Sequence, residues 1–276
     1  MRDIDHVMIN SEARINAATA FYEAVGFALT SPSHEAGDFK RRIMFPSNYI
    51  TLFGYRPEFG IPKPDPRGLV EGLTGLALRS HGIEDDHAAL AASGASVDSP
   101  GFSQREIRFD GGAEIARFGT MRLSRGIPSE GLIFLCQHMD GDAAWRHETV
   151  AHTNGVTGLA DVVLLAASVP KSARRLSPML GDDPAPVEGG IGWASANERV
   201  LVLDAESASA FFRMPLAARD VPGEALLGMS LRTERLDFVR SAIEATGAET
   251  SDDGASIVVR DPASGALVKF VQSNGR

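Results

Sequence analysis

Apolar residues in this chain fall into short strand-length runs, and each opening run is followed by an Ala-rich stretch with helical spacing. The pattern recurs four times. The opening runs are IDHVMIN (4–10), LTGLALRS (73–80), LADVVLLAA (159–167) and LLGMSLRT (226–233). The helical stretches read AATAFYEAVGF, DDHAALAASGASV, SARRLSPMLGD and FVRSAIEATGAET. Gly26, Gly94, Gly181 and Gly247 stand where a helix C-terminal cap belongs, a place that favours glycine. Each repeat closes with a further apolar run: YITLFGY (49–55), GLIFLCQH (131–138), RVLVLDA (199–205) and ALVKFVQ (266–272). Turn signals at Asp110-Gly111-Gly112, Asp252-Asp253-Gly254 and Ser264-Gly265 separate antiparallel strands.

The repeating unit is therefore β-α-β-β-β and the fold class α+β. The helix covers one face of a curved sheet and leaves the other concave. Units pair in chain order, which predicts two half-barrel domains, residues 1–150 and 151–276. The proline-rich stretch from Pro57 to Pro66 reads as an exposed loop, and the polar stretch from Met139 to Gly158 as the joint between halves.

Composition narrows the function. The net charge of −9 argues against nucleic acid as a partner, since phosphate contacts need a clustered excess of Lys and Arg. No apolar run has the length of a membrane span, and the first residues do not read as a signal peptide. A single cysteine, Cys136, precludes an intrachain disulfide and fits a reducing, cytoplasmic location. No glycine loop of the phosphate-binding type precedes a helix, so no nucleotide cofactor is expected, and no G-x-S-x-G nucleophile motif occurs.

The candidate chemistry lies in histidines and arginines. His6 sits inside an apolar strand. His138 follows Phe134 by four residues and Cys136 by two, so strand parity points all three to the concave side. His6, His138 and His152 could then converge at one end of the first cleft, with His34 nearby, as metal ligands or as acid and base groups. The run from His138 to His152 also holds Asp140, Asp142, Trp145, Arg146, His147 and Glu148. It reads either as a linker that Trp145 plugs into a gap, or as a rim on which Trp145 packs against substrate. Among Arg41, Arg42, Arg105, Arg117 and Arg122, parity turns some inward. Arg105, close to Phe102 and Ser103, is the favoured anchor for a substrate carboxylate or enolate.

The run IDHVMIN followed by AATAFYEAVGF resembles the opening of the vicinal oxygen chelate proteins, relatives of glyoxalase, bleomycin-resistance proteins and extradiol dioxygenases. The segment GLIFLCQHMDGDAAWRHETVAHTNGVTGLADVVLLA and the stretch DSPGFSQ are similar to a bacterial glyoxalase-like subgroup. The resemblance implies a divalent metal (Mn, Fe, Ni, Zn or Mg) held by four inward positions on opening and closing strands. Those positions carry His6, Thr51, Gly75 and Phe134 in the first half, and Asp161, Leu201, Met229 and Lys269 in the second. One ligand of four survives in the first half, and the dioxygenase set of two His and one Glu is absent. A metal centre therefore depends on His138 or His152 joining His6.

What the resemblance then implies is a protein acting on a small oxygenated or carboxylated molecule in the N-terminal cleft, as a lyase or isomerase working through an enolate. His6, His138 and His152 would be its catalytic residues, and Thr51, Phe102, Ser103, Arg105 and Trp145 would line its substrate. The alternative is a metal-free protein that binds and sequesters a small molecule, and a homodimer is expected from the superfamily in either case.

Overall fold

The computed structural model describes residues 1–35, 38–55, 70–109, 111–123, 131–146, 148–181, 184–216 and 224–273. The proline-rich stretch Pro57 to Pro66, Asp110 and His147 lie outside them, as do the side chains of His34 and Asp142. The first half runs β1 (Ile4–Asn10), α1 (Ile15–Ala24), β2 (Ser33–Glu35), β3 (Asp38–Met44), β4 (Tyr49–Gly54), then β5 (Gly72–Arg79), α2 (Ile83–Ala92), β6 (Gly101–Phe109), β7 (Gly112–Arg122) and β8 (Leu132–His138). The second half runs β9 (Val156–Leu165), α3 (Val169–Leu180), β10 (Ala185–Val187), β11 (Gly190–Ala194), β12 (Arg199–Leu203) and α4 (Ala205–Phe212). It continues through β13 (Ala225–Thr233), α5 (Leu236–Thr246), β14 (Thr250–Asp252), β15 (Ser256–Arg260) and β16 (Leu267–Gln272).

The strand order is β2-β3-β4-β1-β5-β8-β7-β6 in one sheet and β10-β11-β12-β9-β13-β16-β15-β14 in the other. The second is the first shifted by eight strands, so the four-unit repeat is real. In every unit the opening strand lies parallel to its closing strand, and the two opening strands of a sheet meet antiparallel at its centre. Gly247 ends α5 in the left-handed conformation the pattern required, at φ 67°. Gly181 ends α3 differently, with φ 121° and ψ 167°.

Strand alternation sorts side chains between two faces. Val162 and Leu164 of β9 and Val200 and Val202 of β12 join the helix-side core, whereas Val163, Leu165, Leu201 and Leu203 face the concave side. The helix-side core is continuous across the molecule. It contains Val7, Ile9 and Tyr22 from the first half together with Met229, Val239 and Phe270 from the second. The rings of Phe27 and Phe270 lie 6.2 Å apart. Equivalent turns of the two halves also meet, for the buried Asn48 side chain donates to Glu198 Oε1 at 2.9 Å and accepts from the Leu159 amide at 3.3 Å.

One element departs from the sequence reading. The run RVLVLDA ends its strand at Leu203, and Asp204 opens the helix α4 by accepting from the Ser207 amide at 2.8 Å. This helix lies on the concave face of the second sheet, where Ala208 and Phe212 pack with Val163, Leu201, Leu203 and Leu267. Lys269 holds its C-terminal end. Its ammonium donates to the Phe211 carbonyl at 3.0 Å and lies 4.3 Å from the Phe211 ring centre. Met229, read from sequence as a cleft position, belongs instead to the helix-side core, because parity places its neighbour Gly228 on the concave face. A Cβ at Gly228 would come within 2.8 Å of the Phe212 ring. Among the described residues no helix is long and apolar enough to cross a membrane.

The chain's own helix thus covers part of the second concave face, beside a cavity of about 580 Å³ lined by Asp161, Arg199, Phe211 and Lys269. Replacing Phe212, which is fully buried, by Ala is expected to cost about 3–5 kcal/mol in a urea denaturation series. A loss under about 1 kcal/mol would mean that α4 does not plug this face.

Candidate functional site

The site begins with an irregularity in β1. Against β5, Ile4 pairs with Leu78 but His6 pairs with Ala77, so β1 advances two residues while β5 advances one. This is a β-bulge at Asp5, and it resets the side-chain alternation. Ile4 therefore joins Val7 and Ile9 in the helix-side core, although Ile4 and His6 differ by two positions. The bulge brings the Asp5 carboxylate and the His6 imidazole side by side, with His6 Nδ1 2.7 Å from Asp5 Oδ2.

Asp5 is wholly buried and serves as a hub. His138 Nε2 approaches the same carboxylate at 3.1 Å. The Arg79 guanidinium donates to Asp5 Oδ1 through Nε at 3.3 Å and Nη2 at 3.1 Å, and to the Ser47 carbonyl at 2.7 Å. Burial alone would raise the pKa of Asp5, but hydrogen bonds from His138 and His6 outweigh it and hold the carboxyl well below the usual range. Burial pushes His6 below its ordinary 6.5, against the opposing pull of Asp5, so the ring is neutral at pH 7. An ionised Asp5 can only accept, so Nδ1 carries the His6 proton and Nε2 keeps its lone pair.

Nothing among the described residues hydrogen-bonds His6 Nε2. The ring stacks on Tyr49 with centroids 4.5 Å apart and planes 13° from parallel, and it meets Phe134 edge-on at 5.5 Å. It lines a cavity of about 400 Å³ on the concave face of the first sheet. Met8, Tyr49, Thr51, Phe134 and Cys136 complete the floor. Lys40 and Arg42 of β3 form one wall, and Arg105 of β6 with Arg122 of β7 form the other. Strand parity selects these arginines. Arg41 points outward to Glu23 at 2.8 Å, and Arg117 pairs outside with Asp140 at 3.0 Å.

The structure brings His6, Thr51, Ser103 and Arg105 together at the cavity. It places Phe102 on the opposite face of β6, 56% exposed, where alternation puts the neighbour of an inward Ser103. His138 and Trp145 stand behind the floor. Trp145 donates to the Phe45 carbonyl at 2.8 Å, its ring lies 5.0 Å from that of His138, and the Arg79 guanidinium sits 5.4 Å from its centre. His152 does not reach the cavity: Nδ1 accepts from the Ala28 amide at 3.1 Å and Nε2 donates to the Met44 carbonyl at 2.9 Å. Both of its ring nitrogens are committed to backbone. Asp5, Lys40, Tyr49 and Arg79 were missed from sequence. The signal available for Asp5 was an Asp-His pair inside an apolar strand, where strict alternation would have sent one of them into the core.

A family model described as the glyoxalase-like domain matches residues 4–180. The chain belongs to the glyoxalase-like domain family. Solved structures agree on the vicinal oxygen chelate fold over the whole chain. A hypothetical protein from Staphylococcus aureus superposes with a TM-score of 0.66 at 10% identity, covering 99% of this chain and 100% of its own. A mutant 4-hydroxymandelate synthase from Streptomyces coelicolor gives 0.60 at 12% identity, covering 99% and 93%. A xylose isomerase-like TIM barrel/4-hydroxyphenylpyruvate dioxygenase fusion protein gives 0.57 at 11% identity, covering 100% of this chain and 49% of that one. No match was found among curated protein sequences.

Proteins of this fold often bind divalent metals, and Asp5, His6 and Cys136 offer three ligand atoms within 4.8 Å of one another. The set does not fit an ion. Arg79 already sits on Asp5 and would oppose a second cation there, and burial raises the Cys136 thiol so that it stays protonated. His6 and His138 do not converge on an open point either, because the Asp5 carboxylate stands between them. Adding Zn(II) or Mn(II) to the purified protein is expected to leave its melting temperature unchanged. A saturable upward shift lost in a His6→Ala variant would overturn this.

The folded-state pKa values of His6 and Asp5 both lie below their ordinary values of 6.5 and 3.8. The unfolded chain therefore binds protons first, and the stability from each group is present above its ordinary pKa and lost as pH falls through its folded value. The urea midpoint should fall as pH drops below 6.5, and further below 3.8. A His6→Gln variant should shrink the first of these steps to the part that the likewise buried and depressed His152 contributes, while keeping the second.

Proposed function

We propose that the N-terminal cavity binds a small carboxylated organic acid and that His6 removes a proton from the carbon next to its carbonyl. The observation that carries this reading is the neutral His6, whose Nδ1–H is fixed by Asp5 and whose Nε2 borders a cavity walled by cations. A carboxylate that locks one ring nitrogen leaves the other oriented as a base. In the step, His6 Nε2 takes the C–H proton, and the C–H electron pair moves into the carbonyl to give an enolate oxygen. Arg105 supplies positive charge for that oxygen. Return of the proton to another carbon gives isomerisation, and loss of a β-substituent with its electron pair gives a lyase reaction. Neither route needs an oxidant.

His138 and Trp145 act from behind the floor, as the backing that fixes Asp5. Tyr49 and Phe134 hold the imidazole plane between them. The same aromatic floor supports a second reading, a protein that holds its ligand unchanged.

Exchange of α-protons separates the two. A panel of pyruvate, 2-oxobutyrate and 2-oxoglutarate is followed by NMR in heavy water with and without protein. Accelerated exchange of at least one acid is expected, reduced about 10²–10⁴-fold in His6→Gln. Binding without exchange across the panel would leave the sequestration reading. The acid limb of the exchange rate should lie below pH 6.5, because only the neutral imidazole accepts a proton and burial depresses its pKa.

A further inference from the structure

The cavity beside α4 lies on the row of the second sheet that corresponds to the first site's floor. In the first sheet the pairing register sets Tyr49, His6, Ala77 and Phe134 side by side across β4, β1, β5 and β8. The same register in the second sheet sets Arg199, Asp161, Ser230 and Lys269 across β12, β9, β13 and β16. Even the bulge recurs, since β9 advances two residues from Leu159 to Asp161 while β13 advances one. Where the first half carries an aromatic row, the second carries a charged and hydroxylic one. Asp161, Arg199 and Lys269 line the cavity of about 580 Å³ together with Glu198, Phe211, Arg232 and Ser273.

Among the described residues the acceptors of this cavity are taken, whereas donors are left over. Asp161 is buried and accepts from Arg199 Nε at 2.6 Å and from the Ser230 hydroxyl. Glu198, also buried, accepts from the Asn48 amide group at 2.9 Å and from the Ser195 hydroxyl at 2.8 Å. Arg232 donates to the carbonyls of Asn197 and Leu159. Lys269 directs one of its three N–H bonds to the Phe211 carbonyl at 3.0 Å. The acids whose charge reaches it, Asp161 and Asp253, pair instead with Arg199 and Arg213, each at 2.6 Å. Neither Nη atom of Arg199 meets an acceptor among the described residues. Ser273, four residues beyond Lys269 and so of the same strand parity, has a buried Oγ with no partner. A dehydrated hydroxyl and an ammonium on one cavity both call for an oxygen acceptor.

We infer that this second cavity is a ligand site in its own right, for a small monocarboxylate that accepts from Lys269 and Ser273 and faces Arg199. The charged residues around it favour one negative group, since Arg199, Arg232 and Lys269 stand against Asp161 and Glu198. Phe211 and Val271 offer apolar surface to the rest of the molecule. Lys269 then bonds the end of α4 and the ligand at once. The site is separate from the His6 cavity and does not depend on the reaction proposed there.

Isothermal titration calorimetry with butyrate and benzoate, against the uncharged butyramide and benzamide, tests this. An Arg105→Gln protein, altered only in the first cavity, is expected to bind at least one acid about tenfold or more tighter than its amide. Adding Lys269→Met should abolish that preference. Because Lys269 also holds α4, Ser273→Ala is the second variant. It removes a hydroxyl that bonds nothing in the protein, so affinity should fall about threefold or more with the urea midpoint unchanged. If neither acid binds the Arg105→Gln protein, the second site is overturned, and binding to the wild type would then leave the first site standing. Equal affinity for acid and amide, or affinity unmoved by both Lys269→Met and Ser273→Ala, overturns the second site as well.

Discussion

Every part of the site depends on one buried carboxylate. Asp5 reaches the concave side only because β1 bulges there, and once dehydrated it must be answered by donors. His6, His138 and Arg79 answer it, and in doing so each acquires a fixed orientation. A lone charge at this place would cost several kcal/mol, so the three partners and the bulge form a set in which removal of any member exposes the rest. The same hub explains why the residues do not form a metal centre. A metal carboxylate ligand must be available to the ion, and this one is already shared by two imidazoles and a guanidinium.

The two halves show what a duplicated fold can do with one concave surface. In the first it is open and lined by cations. In the second, α4 covers part of it, and Leu201 and Lys269 both serve that helix. The lysine that read as a lost metal ligand is a latch for a helix end. Asp161, the position equivalent to His6, is engaged by Arg199 at 2.6 Å and by the Ser230 hydroxyl.

The repeat was legible because alternation and helix spacing are local properties, and four copies reinforce one another. Arg105 and Thr51 were legible for the same reason, since parity alone decides which face a strand residue takes. Asp5 was not, because a bulge breaks parity and shows only in the pairing with a neighbouring strand. The helix α4 escaped because AESASAFF is short and weakly patterned, and its apolar face matters only against a surface already folded. His152 looked reactive as a residue type, but its bonds to Ala28 and Met44 come from backbone more than a hundred positions away.

The meeting of Asn48 with Glu198 has a mechanical meaning. Asn48 adjoins Ser47, whose carbonyl holds Arg79, which in turn holds Asp5. The second half thus braces the turn on which the first half's hub leans, much as a buttress supports a vault. A half-barrel with an empty concave face lacks filling to keep its curvature, and the shared core together with this buried turn-to-turn bond supplies that stiffness from outside. The second half is in this way part of what holds the first half's site in shape.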